Sequence, residues 1–235
     1  MTYGCIGERL THSFSKEIHA CLADYDYELI EIPRDRLDSF MRRRSFSAVN
    51  VTIPYKQAVM PYLNFIDDAA AEIGAVNTIV NRGGRLYGYN TDFYGMRMLA
   101  RHAGIEFQGR KAAILGTGGT SRTAGAVARS LSAGEIVTVS RSGKTGALTY
   151  GELYENHRDT DIIINTTPAG MFPDIHAKPI DAAVFPKLSG VLDAVYNPLR
   201  TRLVSDAAAL GVKAEGGLYM LVAQAVKASE IFLNT

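Results

Sequence analysis

Hydrophobic periodicity divides the chain near residues 93 to 110. Upstream of that point, short alternating or wholly apolar runs at Tyr3 to Gly7, Tyr27 to Ile32, Ala48 to Ile53, Asn77 to Asn81 and Leu86 to Asn90 predict strands. Helix-like stretches at Lys16 to Ala23 and Arg36 to Arg43 separate them. Downstream, residues 112–115, 135–139, 161–164 and 191–195 are almost continuously apolar. That is the composition of parallel strands covered on both faces. Helical spacing recurs at Thr123 to Leu131 and Leu203 to Leu210. Asp92 to Ala103, with Phe93, Met96, Leu99 and Ala100 on one face, predicts a helix joining the two halves. Between Arg141 and Asp161 only Tyr150 to His157 has a helical pattern, so a shortened helix or a loop is expected there. The fold class is therefore α/β in two domains.

Composition narrows the class without naming it. With 235 residues, 47% of them hydrophobic, the chain can bury one large core or two modest ones, and a formal charge of +1 gives no reason to invoke nucleic acid or an anionic membrane. No run approaches the ~20 apolar residues of a membrane span, and Met1-Thr2-Tyr3-Gly4-Cys5 lacks the basic and apolar regions of a secretory signal. A cytoplasmic protein is expected. Cys5 and Cys21 form no CxxC spacing and are expected to be buried free thiols without catalytic role. His12, His19, His102, His157 and His176 show no metal-ligand spacing, and no metal is expected.

The segment Ile114-Leu115-Gly116-Thr117-Gly118-Gly119-Thr120-Ser121 runs from a buried strand through a glycine turn into a helix. Glycines there permit positive φ and close approach of the backbone, while the helix start offers unpaired N–H groups to a pyrophosphate. The Gly-x-Gly-Gly spacing departs from the strict dinucleotide fingerprint, so its context decides. At the end of the next strand, where an NAD site usually has an acidic residue, stands Ser140-Arg141-Ser142-Gly143-Lys144. A guanidinium at this position can fork onto a 2′-phosphate, with Lys144 and the serine hydroxyls in support, which favours NADP over NAD.

Two polar residues occupy places that the hydrophobic pattern does not need. Lys56 closes Asn50-Val51-Thr52-Ile53-Pro54-Tyr55-Lys56, and Asp92 closes Gly88-Tyr89-Asn90-Thr91-Asp92. Carbonyl reduction needs a proton for the developing alkoxide, and a lysine beside a carboxylate suits that task. The bland alternatives are a solvated lysine and an aspartate in a first helical turn, helix capping by Ser13 and Ser15, and turn formation by Asn77 and Asn90.

Ser13-Phe14-Ser15, Asn50 to Lys56, Gly74-Ala75-Val76-Asn77-Thr78, Asn90-Thr91-Asp92, Gly116-Thr117-Gly118-Gly119, Asn165-Thr166-Thr167-Pro168, Tyr196-Asn197-Pro198 and Met220 to Gln224 together resemble the shikimate dehydrogenase family, in order and over nearly the whole chain. The resemblance implies an N-terminal substrate domain, 1–92, to which a C-terminal helix, 218–235, returns. It implies an NADP-binding Rossmann-like domain at 93–217, with the active site between the two. The implied activity is the reversible NADPH-dependent reduction of 3-dehydroshikimate to shikimate, in chorismate and aromatic amino-acid biosynthesis. Lys56 and Asp92 are the implied catalytic pair. Ser13 and Ser15 would bind the substrate carboxylate, and Thr52, Asn77 and Gln224 its hydroxyls, with Tyr196 bordering substrate. Gly116, Gly118, Gly119, Thr120, Ser140, Arg141, Lys144, Thr166, Gly217 and Met220 would hold the cofactor. A monomer or homodimer is implied, with no nucleic-acid or membrane partner. The family's usual basic signature is Asn-Arg-Thr, where this chain has Ser140-Arg141-Ser142, and the family commonly carries a further segment after the Gln224 helix. Broad quinate/shikimate dehydrogenases using NAD or NADP share these motifs, and a non-catalytic ligand-sensing module would keep the fold.

Overall fold

The computed structural model describes residues 2–10, 14–143 and 146–234. In chain order the elements are β1 (Tyr3–Gly7), α1 (Ser15–Leu22), β2 (Tyr27–Glu31), α2 (Leu37–Arg43), β3 (Ala48–Val51), β4 (Phe65–Ile66), α3 (Asp68–Ile73), β5 (Thr78–Arg82), β6 (Arg85–Tyr89) and α4 (Thr91–His102). They continue with β7 (Lys111–Leu115), α5 (Gly119–Ser130), β8 (Glu135–Val139), α6 (Tyr150–Asn156), β9 (Ile162–Asn165), β10 (Gly190–Asp193), α7 (Arg202–Ala209), β11 (Lys213–Glu215) and α8 (Leu218–Leu233). The chain forms two compact units, residues 1–94 with 222–235, and residues 95–221.

The first unit is a six-stranded mixed sheet in the order β2-β1-β3-β5-β6-β4. β1 is parallel to both neighbours, whereas β3–β5 and β5–β6 are antiparallel. Both faces are covered, so successive residues of β1 and β3 enter different cores. Ile6, Val49, Val51, Ile79 and Leu86 pack with Leu37, Met41 and Phe46 on one side. Cys5, Tyr27, Ala48, Val80 and Phe232 of α8 pack on the other. Register sets Cys5, Asn50, Thr78 and Tyr89 in one cross-strand row, so polar Asn50 and Thr78 are carried into the core. The run expected to remain extended to Ile53 ends at Val51. Pro54 has no N–H for a ladder, and Ile53 stands 77% exposed in the turn. Cys5 is buried as expected, but Cys21, near the end of α1, is exposed; the helix turns that face to solvent.

The second unit is a wholly parallel five-stranded sheet, β11-β10-β9-β7-β8. From β7 the chain passes to β8 on one side and then to β9 on the other, which creates a topological switch point at the carboxyl ends of β7 and β9. Ala113, Leu115, Ile163 and Val191 meet Leu153, Phe185, Leu203 and Ala207 in its core. The short stretch after Arg141 holds one bridge, Val139 with Leu148, and the seven-residue helix α6. A capping box made by Thr149 and Glu152 starts that helix, satisfying two N–H groups reciprocally.

Candidate active site

In the first unit the chain leaves β3 through a turn in which Tyr55 N–H bonds to the Thr52 carbonyl at 2.9 Å. The buried Tyr55 ring anchors that turn, its hydroxyl donating to the Ile32 carbonyl. Lys56 is held by its own carbonyl, which accepts from Val76 N–H at 2.8 Å. Its Nζ reaches Asp92 Oδ2 at 2.6 Å. Asp92 lies in the first turn of α4, where the helix dipole favours negative charge. Asn90 caps that turn by accepting from Phe93 N–H at 3.2 Å while donating to the Ala75 carbonyl at 2.9 Å. The lysine side chain is 27% exposed and the carboxylate 18%, so the pair is sheltered yet reachable by a small molecule.

Beside this pair, Asn77 Oδ1 accepts from Thr91 N–H at 2.7 Å, and Asn77 Nδ2 donates to Thr91 Oγ1 at 3.1 Å. Thr91 Oγ1 in turn donates to Gln224 Oε1 at 3.4 Å. Beneath them Tyr27, Asn50 and Thr78 are buried. Burial pushes the Cys5 thiol up to about 12, against the opposing pull of the Lys56 charge, which leaves Cys5 no nucleophilic role. Burial likewise lowers His19 to about 4, partly offset by a hydrogen bond with Asn50.

In the second unit the glycine turn lies at the switch point. Gly116 has φ +112°, and a Cβ there would stand 2.7 Å from Thr166 Oγ1. Thr166 spans the two strand ends, its N–H and Oγ1 both donating to the Leu115 carbonyl at 2.9 and 2.6 Å. Gly118 precedes α5 without a side-chain cap, so the first N–H groups of the helix remain open to an anion. Cβ atoms at Gly118 and Gly119 would meet nothing within 4 Å, the open cradle that a pyrophosphate needs. Arg141 is exposed just beyond β8, in a loop shaped by Gly143 N–H donating to Ser140 Oγ at 3.1 Å. These residues fit a dinucleotide carrying a 2′-phosphate.

Residues 5–79 match the family model for the shikimate dehydrogenase substrate binding domain. A shikimate dehydrogenase (NADP(+)) of Clostridium perfringens is 38% identical over 98% of this chain and 91% of its own length. The chain belongs to the shikimate dehydrogenase family. Among solved shikimate dehydrogenase structures, one from Peptoclostridium difficile is 36% identical with a TM-score of 0.87, covering 100% of this chain and 93% of its own. A shikimate 5-dehydrogenase of Thermus thermophilus, in complex with NADP(H) and shikimate, is 31% identical with a TM-score of 0.88, covering 100% of this chain and 94% of its own.

Of the residues that the shikimate dehydrogenase motifs single out, Lys56 and Asp92 are in contact, and Asn77 and Gln224 converge on Thr91. Thr52 begins the Lys56 turn, its N–H bonded to the Ile6 carbonyl at 2.9 Å. Ser15 opens α1, but the cap position is Phe14 and no side chain caps the helix. The capping role weighed for Ser15 is thus not observed. Ser13 and Lys144 lie outside the described residues. Tyr196 follows β10 in the second unit, and Met220 is buried in the first turn of α8. Gly217 is explained locally, because a Cβ would strike the Ala194 carbonyl and its N–H bonds to the Val195 carbonyl at 2.8 Å. Gly116, Gly118, Gly119, Thr120 and Thr166 gather around the turn that opens α5.

Sequence reasoning passes over Asp193. Its carboxylate is fully buried and accepts from Asn165 Nδ2 at 2.9 Å, Val195 N–H at 3.0 Å and Thr201 Oγ1 at 2.6 Å. Burial raises its pKa, and these three donors pull it back. The available signal is one polar residue inside an otherwise apolar strand, the same signal that Asn50 gives.

Among the described residues, no group of His, Cys, Asp or Glu could hold a metal ion, and no helix is long and apolar enough to cross a membrane.

Proposed function

We propose that this protein is an NADP-dependent shikimate dehydrogenase that reversibly reduces 3-dehydroshikimate to shikimate in aromatic amino-acid biosynthesis. The observation that carries this reading is the 2.6 Å Lys56–Asp92 pair beside the converging amides of Asn77 and Gln224. A substrate rich in hydroxyls needs such donors and acceptors, and one lacking a hydroxyl would leave them unpaired.

NADPH, when bound, supplies the hydride for the carbonyl carbon. Gly116, Gly118, Gly119 and Thr120 would hold the pyrophosphate through main-chain groups, and Arg141, with Ser140 and Lys144, would hold the 2′-phosphate. Thr166, Gly217 and Met220 complete the nicotinamide side. Within the substrate domain, 1–92 with 218–235, Ser13 and Ser15 donate to the carboxylate. Thr52, Asn77 and Gln224 orient the hydroxyls, and Tyr196 of the cofactor domain, 93–217, borders substrate. Lys56 Nζ places an N–H on the reacting oxygen, stabilises the charge that develops there and delivers the proton, directly or through one water. Asp92 fixes the ammonium and accepts from the adjacent substrate hydroxyl. No metal takes part. The protein is read as cytoplasmic, and as a monomer or homodimer.

The test follows nicotinamide absorbance with shikimate or quinate, each with NADP or NAD. Turnover confined to shikimate with NADP is expected. Absence of turnover with shikimate, from folded protein that binds NADP, would overturn the assignment; equal use of quinate would replace it with a broader dehydrogenase.

A further inference from the structure

Tyr27 lies on β2 at the edge of the sheet, and its phenol is 4% exposed. It donates to Asn50 Oδ1 at 2.6 Å. Asn50 Nδ2 therefore faces inward, donating to Thr78 Oγ1 at 3.1 Å and to the Asn77 carbonyl at 3.4 Å. A carbonyl only accepts, so this amide has a single satisfactory direction. The Thr78 hydroxyl, accepting from Asn50 on one of its two lone pairs, donates its one hydrogen to Asn77 Oδ1 at 3.0 Å. Thr91 N–H, also only a donor, occupies the same oxygen at 2.7 Å. The side chains thus form one continuous hydrogen-bonded run from Tyr27 through Asn50 and Thr78 to Asn77 and Thr91.

We propose that Tyr27 is a positioning residue for substrate, acting through Asn50 and Thr78 to fix the Asn77 carboxamide with its nitrogen toward the substrate hydroxyl. This rests on the dehydrogenase reading above. The carboxamide has two N–H hydrogens; Thr91 Oγ1 takes one and the substrate takes the other. The edge strand β2 thereby gains a role in recognition that its place far along the sheet from β5 would not suggest.

Steady-state kinetics of the full chain test this with Tyr27→Phe, Thr78→Val and Thr78→Ser. Tyr27→Phe and Thr78→Val are each expected to raise KM for shikimate about tenfold, the loss of roughly one well-placed hydrogen bond. KM for NADP should stay within about twofold and kcat within about threefold, and Thr78→Ser, which keeps the hydroxyl, should restore the wild-type KM. The double variant should be no worse than either single one, as expected for links in series. A shikimate KM within twofold of wild type in Tyr27→Phe would overturn the relay, whatever happens to Tm. So would equal rises in KM for shikimate and NADP, which mark a general disturbance of the fold. An inactive wild-type protein would instead remove the dehydrogenase reading, and the relay with it.

Discussion

The two units place polar chemistry in a buried setting by opposite means. In the first, a mixed sheet carries amides and hydroxyls into its core, and Asn50, Asn77, Thr78 and Thr91 satisfy one another side chain to side chain. In the second, the central strands are mainly aliphatic, with Asn165 and Asp193 closing β9 and β10, and what the proposed reading turns toward the cofactor is backbone: a glycine at φ +112° and the open N–H groups of α5. Side-chain networks discriminate among ligands because each atom has a fixed donor or acceptor role, and a wrong partner leaves a buried group unsatisfied. Backbone cradles recognise a phosphate irrespective of most side chains, so the proposed reading assigns specificity there to a single added residue, Arg141.

The largest expected effect comes from the first unit. Lys56→Ala should lower kcat about a thousandfold while leaving the Kd of NADP unchanged, as measured by fluorescence titration. Wild-type turnover would remove Lys56 from the mechanism.

A second difference concerns pH. The His19 imidazole takes a proton near 6.5 when unfolded but only near 4 when folded, because burial disfavours the charge. Between those values the unfolded state binds more protons, so stability falls as pH drops from 6.5 toward 4, by up to about 3 kcal/mol. Asp193 has the opposite sign: its raised pKa means that the folded state holds the proton longer, so its contribution declines as pH rises above 3.8. Urea unfolding at pH 4.5 and 6.5 should show a steep difference in wild type that is reduced in His19→Gln. An unchanged difference would separate His19 from the acid sensitivity of its unit.

Arg141→Ala should weaken NADP about thirtyfold and NAD by less than twofold, the loss of a charge-assisted fork. Equal losses would contradict the 2′-phosphate assignment. A pair of glycine variants, read in stability and not in turnover, completes the comparison. Gly116→Ala meets both positive φ and Thr166 and should cost about 1–3 kcal/mol of stability, seen as a lower Tm. Gly118→Ala, with φ −81° and open space, should keep Tm and lose NADP affinity.

Legibility follows the same division. Every strand of the parallel sheet with an apolar run is visible in the sequence, and β8 coincides with its predicted span. β11 is not, since Lys213-Ala214-Glu215 is three residues long and two of them are charged, as an edge position permits. α5 is legible only from Thr123, because the glycines that open it at Gly119 mask helical spacing. α3, six residues after a two-residue strand, is too short for periodicity to register. The contact between Lys56 and Asp92 joins residues 36 apart, yet each stands out as a polar exception to its own run. Tyr27 and His19 do not, because an aromatic or a histidine among apolar neighbours reads as packing until tertiary burial shows which atoms they bond.

Asp193 accepts from Asn165, the last residue of β9, and from Val195 and Thr201 at the two ends of the connection between β10 and α7. Asn165 in turn holds Thr167 N–H at 3.0 Å, and Thr201 holds Val204 N–H at 3.3 Å. One carboxylate thus ties the end of β9 to both ends of the β10–α7 connection, so local unfolding of this rim of the second unit is expected to be cooperative, not a drift of separate loops.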